Sequence, residues 1–357
     1  MNLAEIDKNF FVEQSFDRTD VKGYNILNAP FSIHGLIFPE DENDGFHRIA
    51  DKEVANLNKN IARLQTHTAG GRVRFKTDAA FIGLRAVVFN SSRLPHFPYT
   101  GSIGFDLYVK EEDGRQTHLH TYAPPVNPND SYVRQKVVEG GSMREYTINF
   151  PLYSSVQRLE IFIEESAHIE APDPYTYQTP IMYYGSSITQ GACASRPGTS
   201  YESIISRRFD CDFINLGFAG NAKGEPEMAR YIAAHDMSIF VYDYDHNAPT
   251  DEHYEATHEN MFLIIREAHP DLPVIFVNRP SYYMAPSMVD RRMAITKKTY
   301  QNALDRGDKN VYFIDCRDFY PDGVDTGILV DGCHPNDLGF WFMAKRIGDE
   351  IGKILGK

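Results

Sequence analysis

The sequence predicts two domains of different fold class, an antiparallel β-sandwich followed by an α/β domain built on a parallel sheet. Three observations carry this prediction. Short β-rich runs with alternating apolar residues continue to about residue 165. A stretch with three prolines follows at 171–180, and beyond it apolar strands alternate with helical segments. We therefore predict a jelly-roll-like β-sandwich at residues 1–170, a Pro-rich linker at 171–180 and an α/β domain at 181–357.

The strands of the first domain are predicted from runs at 73–75, 81–89, 103–109, 146–150 and 159–163. Asp113-Gly114 is typical of a hairpin turn and would join the strand at 103–109 to one at 119–121. Strands joined by tight turns pair antiparallel, so this domain is expected to be a sandwich of antiparallel sheets.

The strands of the second domain are predicted at 181–184, 213–216, 239–242, 274–277 and 311–314. Helical spacing of apolar residues is found at 199–209, 252–268, 289–304 and 336–355. Alternating strands and helices indicate a parallel sheet that is covered by helices on both faces. Ligands bind such sheets beyond the carboxyl ends of the strands, and that edge is where a site is expected.

Composition excludes several classes of partner. The chain has 357 residues, of which 42% are hydrophobic and 24% charged, as in soluble two-domain proteins. A net charge of −13 without a strong Lys/Arg cluster argues against nucleic acid and anionic membranes. No apolar run approaches the roughly 20 residues of a membrane-spanning helix. The charged N-terminus does not resemble a signal peptide, so a cytoplasmic location is expected; secretion would require a leader that has been removed.

The cysteines do not suggest a disulfide scaffold or a zinc site. Cys193, Cys211, Cys316 and Cys333 are scattered without a C-x-x-C pair. His118 and His120 would share one face of a strand, but they lack a third ligand. Neither a metal nor an organic cofactor is expected, and the thiols are predicted to be free.

Ser187 is the candidate nucleophile. It lies just past the first strand of the second domain, after Gly185, where small residues allow a sharp turn toward a helix. There the hydroxyl would stand at the ligand edge with its own N–H facing the same pocket. A polar turn or a helix cap is the structural alternative.

The candidate base is a histidine with a carboxylate three residues before it. Asp331 and His334 follow the last strand, where the carboxylate can accept a hydrogen bond from one ring nitrogen while the other faces the serine. Asp243 with His246, and Asp44 with His47, have the same spacing. His246 is the stronger rival because it also follows a strand.

Three groups could donate hydrogen bonds to an oxyanion: the Ser187 N–H, the Gly220 N–H and the Asn247 side-chain amide. Tyr282 and Tyr283 follow the fourth strand and could line a substrate pocket. Arg196, in the loop after Ser187, could orient a polar substrate or pair with a carboxylate.

Four segments together resemble the sequence blocks of the SGNH (GDSL-like) hydrolases: 185–189 (Gly-Ser-Ser-Ile-Thr), 215–220 (Asn-Leu-Gly-Phe-Ala-Gly), 245–247 (Asp-His-Asn) and 331–336 (Asp-Gly-Cys-His-Pro-Asn). Residues 104–108 (Gly-Phe-Asp-Leu-Tyr) are similar to the GxDLY motif of an N-terminal β domain that accompanies one branch of these esterases. The resemblance implies a flavodoxin-like hydrolase domain. It also favours His334 over His246, which falls in the block that supplies the asparagine.

The resemblance implies Ser187 as nucleophile, His334 as base and Asp331 as its partner, with Ser187, Gly220 and Asn247 forming the oxyanion hole. Two positions depart from the family pattern. Ser186 replaces the usual aspartate before the nucleophile, and Asp245 replaces the usual glycine two residues before the asparagine.

The expected function is hydrolysis of a small-molecule acyl ester through an acyl-enzyme, and the resemblance points to an acetylated sugar as the substrate class. A lipase or thioesterase for longer chains is one alternative. A catalytically degenerate carbohydrate-binding protein is another, against which the complete set of Ser187, Asp331 and His334 argues. The sequence does not determine whether the chain forms a homo-oligomer.

Overall fold

A computed structural model describes residues 15–37, 45–125, 131–321, 324 and 327–357. Asp44, which shares the Asp-x-x-His spacing with His47, lies outside these residues. Along the described chain, antiparallel strands come first and a parallel α/β unit follows.

The first domain is a sandwich of two antiparallel sheets, with one sheet ordered β1-β9-β4-β7 and the other β10-β3-β8-β5-β6, and with β2 paired to β3. Its strands are β1 (Val21–Asn25), β2 (Ser32–His34), β3 (Arg72–Thr77), β4 (Phe81–Phe89), β5 (Phe105–Lys110), β6 (Gln116–Tyr122), β7 (Ser131–Val137), β8 (Arg144–Asn149), β9 (Ser155–Glu164) and β10 (Ile169–Glu170). Short helices α1 (Asp51–Val54), α2 (Lys59–Leu64) and α3 (Tyr99–Ser102) interrupt them. The inward residues of both sheets form one buried core.

The second domain is a parallel sheet in the order β12-β11-β13-β14-β15. Its strands are β11 (Tyr177–Gly185), β12 (Cys211–Gly217), β13 (Ile239–Asp243), β14 (Val274–Val277) and β15 (Val311–Ile314). Its helices are α4 (Ser187–Gln190), α5 (Tyr201–Phe209), α6 (Pro226–Ala233), α7 (Asp251–Ala268), α8 (Pro286–Asp305) and α9 (Asp337–Ile354). Single 3₁₀ turns lie at Pro197–Thr199, Asp245–Asn247, Tyr282–Met284 and Cys316–Asp318.

Alternate residues of each central strand face opposite sides of this sheet, as the period of two requires. In β11, Ile181 and Tyr183 pack into one core with α5 and α9, whereas Met182 and Tyr184 pack into another with α6 and α7. The first of these cores also contains β-sandwich residues, among them Leu152. The two domains therefore share buried apolar surface, which attaches the sandwich firmly to the parallel sheet.

The predicted fold class is confirmed, since antiparallel sheets precede a parallel sheet with helices on both faces. The hairpin at Asp113-Gly114 joins β5 to β6 as predicted. The sequence did not predict strands β1, β2, β7 and β10, the short helices α1 to α3 or helix α6. Helix α6 begins at Pro226, a residue that suits the first turn, and buries Met228 and Ile232 four residues apart. No helix among the described residues is long and apolar enough to cross a membrane.

Candidate active site

The candidate residues lie together because three adjacent strands end at one level. Gly185 at the end of β11 pairs in register with Gly217 of β12 and with Asp243 of β13. Ser187 comes two residues after the first of these strand ends, Gly220 three residues after the second and Asn247 four residues after the third. The register of the sheet therefore delivers all three to its carboxyl edge.

The turn between β11 and α4 presents Ser187. Ser186 is the N-cap of α4, and its hydroxyl accepts a hydrogen bond from the Ile188 N–H at 3.2 Å. Serine thus supplies the cap oxygen that an aspartate would also supply. A Cβ at Gly185 would lie 2.1 Å from Thr189 Oγ1 and 2.2 Å from the Asp243 carbonyl oxygen, so only glycine lets the helix fold back onto the strand end.

Ser187, His334 and Asp331 form a continuous hydrogen-bonded chain. Ser187 Oγ lies 2.8 Å from His334 Nε2, and His334 Nδ1 lies 2.7 Å from Asp331 Oδ2. The second carboxylate oxygen accepts the backbone N–H groups of Cys333 at 3.0 Å and His334 at 2.8 Å. One oxygen therefore shapes the loop while the other orients the imidazole.

Asp331 is held ionised by these contacts. Partial burial alone would raise its pKa, but the hydrogen bonds from the backbone and imidazole of His334 and from the Cys333 N–H lower the pKa to about 2. A carboxylate that stays charged keeps the Nδ1 proton on the ring, which leaves Nε2 free to accept the serine proton.

His246, the rival base, does not contact Ser187. Its Nε2 lies 3.4 Å from Ser281 Oγ, and both ring nitrogens lie 3.9 Å from Cys333 Sγ. Burial, assisted by the nearby Arg279 charge, lowers the pKa of His246 to about 3, so the ring is neutral. Burial likewise raises the pKa of the Cys333 thiol to about 11. His47 lies in the β domain, 3.1 Å from Asp51.

The three predicted oxyanion donors are uncommitted. Within the described parts of the chain, no acceptor is bonded to the Ser187 N–H, the Gly220 N–H or Asn247 Nδ2. The side-chain oxygen Oδ1 of Asn247 accepts the Ala222 N–H at 3.2 Å, which ties the Asn247 turn to the Gly220 loop. Gln190 of α4 accepts the Ala219 N–H at 3.0 Å and ties the same loop to the nucleophile turn.

Asp245, the second departure from the family pattern, forms an ion pair with an arginine. It is fully buried, and its carboxylate accepts hydrogen bonds from Arg279 Nε at 3.0 Å and from the Arg279 backbone N–H at 3.1 Å. Burial alone would raise the pKa of Asp245, but the Arg279 charge lowers it. The carbonyl oxygen of Asp245 also accepts Arg292 Nη1. The carboxylate therefore anchors the Asn247 turn to the end of β14.

The β-sandwich reaches the triad through residues that sequence reasoning missed. His96 Nε2 lies 3.4 Å from Asp331 Oδ2, the oxygen that also contacts His334. The Phe97 ring packs edge-on against the His334 imidazole with centroids 5.8 Å apart. The Tyr153 hydroxyl donates to the Ser187 carbonyl oxygen at 3.1 Å. No motif in a single sequence marks these residues, because their spacing from the triad is set only by domain docking.

Arg196, which the sequence analysis considers for orienting a substrate or pairing with a carboxylate, contacts the GxDLY motif. Its Nε lies 3.5 Å from Asp106 Oδ2, and its Nη2 lies 3.3 Å from the Tyr108 hydroxyl. Asp106 is fully buried and also accepts the Gly198 N–H at 2.8 Å. The motif thus fastens the loop after the nucleophile to the β domain. The same loop is bonded to Asp337, at the start of α9, which follows the His334 loop.

Tyr282 and Tyr283 lie on a turn beside the His334 loop. The next residue, Met284, has its terminal carbon 2.9 Å from the position that a Cβ on Gly332 would take. Tyr282 is partly buried with the Arg317 guanidinium 5.9 Å from its ring, whereas Tyr283 is 46% exposed. Tyr283 is therefore the member of the pair whose ring is available to a ligand.

Both domains match known protein families. Residues 178–351 match the GDSL-like lipase/acylhydrolase family, and residues 21–169 match the family described as the N-terminus of SGNH hydrolase-type esterases. The chain therefore carries a GDSL-like lipase/acylhydrolase domain. It is a carboxylic ester hydrolase with a GxDLY N-terminal domain, as the sequence predicted. No curated protein sequence matches the chain.

Solved structures of GDSL-like and carbohydrate esterases share this two-domain fold. A protein from Bacteroides ovatus that is described as GDSL-like is 29% identical with a TM-score of 0.83, and the match covers 94% of this chain and 98% of that protein. A salicylyl-acyltransferase from a tetracycline biosynthetic pathway is 19% identical with a TM-score of 0.75. The match covers 94% of this chain and 98% of the acyltransferase. A family-two carbohydrate esterase from Clostridium thermocellum, solved with cellohexaose, is 16% identical with a TM-score of 0.61. The match covers 91% of this chain and 99% of that esterase.

Proposed function

We propose that this GDSL-like esterase hydrolyses small acyl esters through an acyl-enzyme on Ser187, and that its natural substrate is an acetylated carbohydrate. The observation that carries the mechanism is the hydrogen-bonded chain from Ser187 Oγ through His334 to Asp331, with links of 2.8 and 2.7 Å. A serine hydroxyl is a weak nucleophile until a neighbouring base accepts its proton.

Each step uses a group of this chain. His334 Nε2 accepts the Ser187 proton as Oγ attacks the ester carbonyl, and the tetrahedral oxyanion accepts hydrogen bonds from the Ser187 and Gly220 N–H groups and from Asn247. His334 then returns the proton to the leaving alcohol, which leaves an acyl-enzyme. Water, deprotonated by the same imidazole, releases the acid. Asp331 stabilises the transient imidazolium.

Asn247→Ala tests the oxyanion hole. Removing one preorganised donor is expected to lower kcat for p-nitrophenyl acetate by about 10²–10³-fold with a smaller change in KM. Asn310→Ala is the matched control, because its amide bonds to the Asp271 carbonyl oxygen before β15, at the opposite edge of the sheet. An unchanged kcat in Asn247→Ala would remove this residue from the oxyanion hole.

The proposed substrate class is supported by fold likeness and by the site. Besides the cellohexaose-bound esterase, an acetyl xylan esterase from Butyrivibrio proteoclasticus has this fold at 12% identity, a TM-score of 0.57 and coverage of 95% of this chain and 99% of its own. The exposed Tyr283 ring beside the His334 loop offers a flat surface of the kind on which a sugar ring stacks.

Acyl and alcohol preference can be measured together. We expect kcat/KM to fall steadily from two-carbon to twelve-carbon p-nitrophenyl esters, and we expect acetylated oligosaccharides to release acetate. A maximum at long acyl chains would favour a lipase or thioesterase. If the protein hydrolysed aryl acetates but released no acetate from acetylated sugars, the acyl-enzyme mechanism would stand and the carbohydrate substrate would be rejected.

A further inference from the structure

We propose that the catalytic histidine lies in an inhibitory binding site for a thiophilic divalent cation of the Zn²⁺ class, formed by His96, Cys193, His334 and Asp331. One donor atom from each of His96, Cys193 and His334 lies within 4.8 Å of those of the other two. These residues come from the β-sandwich, the loop after the nucleophile and the His334 loop. The cluster therefore exists only in the docked two-domain fold.

Asp331 stands beside these three residues and can complete the four ligands after its carboxylate shifts. Its Oδ2 lies 2.7 Å from His334 Nδ1 and 3.4 Å from His96 Nε2. Zinc bonds of about 2.0–2.3 Å in a tetrahedron place ligand atoms about 3.3–3.8 Å apart. The carboxylate already stands near that spacing from His96, and it must draw back from His334 Nδ1 when the cation replaces the proton between them. Two imidazoles, a thiolate and a carboxylate are ligands that Zn²⁺ accepts.

Cys193 is held in place for this role by its backbone. It has a φ of 70°, which is uncommon outside glycine, and its Sγ lies 3.6 Å from the His96 carbonyl oxygen. The Cys193 residue is only 4% exposed, whereas the side chains of His96 and Asp331 are 35% and 29% exposed. A cation can therefore enter from the solvent side of His96 and Asp331 and meet the thiol beneath them.

Coordination would stop catalysis through the tautomer of His334. A cation on Nδ1 replaces the proton that Asp331 holds there, and the neutral ring then carries its one proton on Nε2. That nitrogen can donate to Ser187 Oγ but can no longer accept the serine proton. The Cys193 thiol loses its proton to solvent as the sulfur–metal bond forms. Burial raises the pKa of that thiol to about 12, so the cation must displace the proton.

A second arrangement, Asp331 with Cys333 and His334, is less suited to a cation. All three of its ligands come from one four-residue loop, and the Cys333 sulfur lies against the His246 ring, 3.9 Å from both nitrogens. The Cys193 arrangement recruits ligands from three segments that converge from different directions, as tetrahedral coordination requires.

Direct binding by the full chain tests the site without relying on the esterase proposal. Titration of Ser187→Ala with Zn²⁺ by calorimetry should show one site, and Co²⁺ should give the near-ultraviolet absorption of a cobalt–thiolate bond. Cys193→Ser should lose that absorption and raise the Zn²⁺ dissociation constant at least tenfold. Cys211→Ser, a buried cysteine outside the cluster, should change neither.

Inhibition is the second readout, and it rests on the proposed function. Zn²⁺ should suppress p-nitrophenyl acetate hydrolysis by the unaltered protein, and a chelator should restore it. Cys193→Ser should keep its basal rate and require at least tenfold more Zn²⁺ for the same inhibition. Retention of the cobalt–thiolate band in Cys193→Ser, or its loss in Cys333→Ser alone, would overturn the proposal. If Zn²⁺ bound without inhibiting hydrolysis, the inhibitory role would be overturned, although the binding site itself would stand.

Discussion

Ser187→Ala is expected to reduce kcat for p-nitrophenyl acetate by about 10⁶-fold, because the nucleophile and its base act as one unit whose loss is nearly complete. The substitution removes a hydroxyl whose bonded partner is His334 Nε2 at 2.8 Å, and it leaves the backbone of α4 unchanged. The melting temperature should therefore stay close to that of the unaltered protein. Steady-state kinetics and thermal unfolding on the same preparation give both numbers.

Ser186→Ala is the matched control for this experiment. Ser186 is the adjacent residue, but its hydroxyl caps α4 through the Ile188 N–H and does not contact His334. Losing the cap should cost about 1 kcal/mol of unfolding free energy and leave turnover within an order of magnitude. If Ser187→Ala kept more than a small fraction of the activity while Ser186→Ala lost it, the nucleophile would have been misassigned.

Asp331→Asn is expected to lower kcat by about 10⁴-fold with little change in KM. An amide in place of the carboxylate can present an N–H to His334 Nδ1, which favours the tautomer whose Nε2 is protonated and cannot accept from Ser187. The loop should still fold, because the side-chain oxygen that accepts the Cys333 and His334 N–H groups is retained. Kinetics of the purified variant over a range of substrate concentrations separate the two parameters.

Asp349→Asn provides the comparison for this change. Asp349 lies on α9 and pairs with Arg208 and Lys345 on the surface, far along the helix from the His334 loop. Its substitution should leave kcat unaltered. A loss in Asp331→Asn no larger than that of the surface variant would mean that His334 does not depend on the carboxylate.

The triad could be predicted from sequence because its geometry follows from local rules. Asp331 and His334 share a loop, so their spacing alone brings carboxylate and imidazole together, and strand ends of a parallel sheet meet at one edge. These rules alone do not distinguish His334 from His246 as the base. Both follow a strand at the same spacing from an aspartate, and only the family resemblance favoured the residue that the structure places 2.8 Å from Ser187.

The contribution of the β-sandwich could not be predicted because it depends on how two domains dock. His96 and Tyr153 reach the triad from loops that are close to Ser187 only in space. Arg196 was considered for substrate binding because it follows the nucleophile, yet buried Asp106 lies 3.5 Å from its guanidinium across the domain boundary. The GxDLY motif was predicted only as a motif shared with a family. In the structure its Asp106 contacts Gly198 and Arg196 and so holds the loop after Ser187 against the β domain.

Covalent labelling tests most directly whether Ser187 is a nucleophile activated by His334. The purified chain is incubated with a fluorophosphonate, and the modified peptide is located by mass spectrometry. We predict a single adduct on Ser187 that does not form in His334→Ala, because the hydroxyl then has no base to accept its proton. An unlabelled Ser187 in folded protein that hydrolyses p-nitrophenyl acetate, or an adduct on a different residue, would contradict the mechanism.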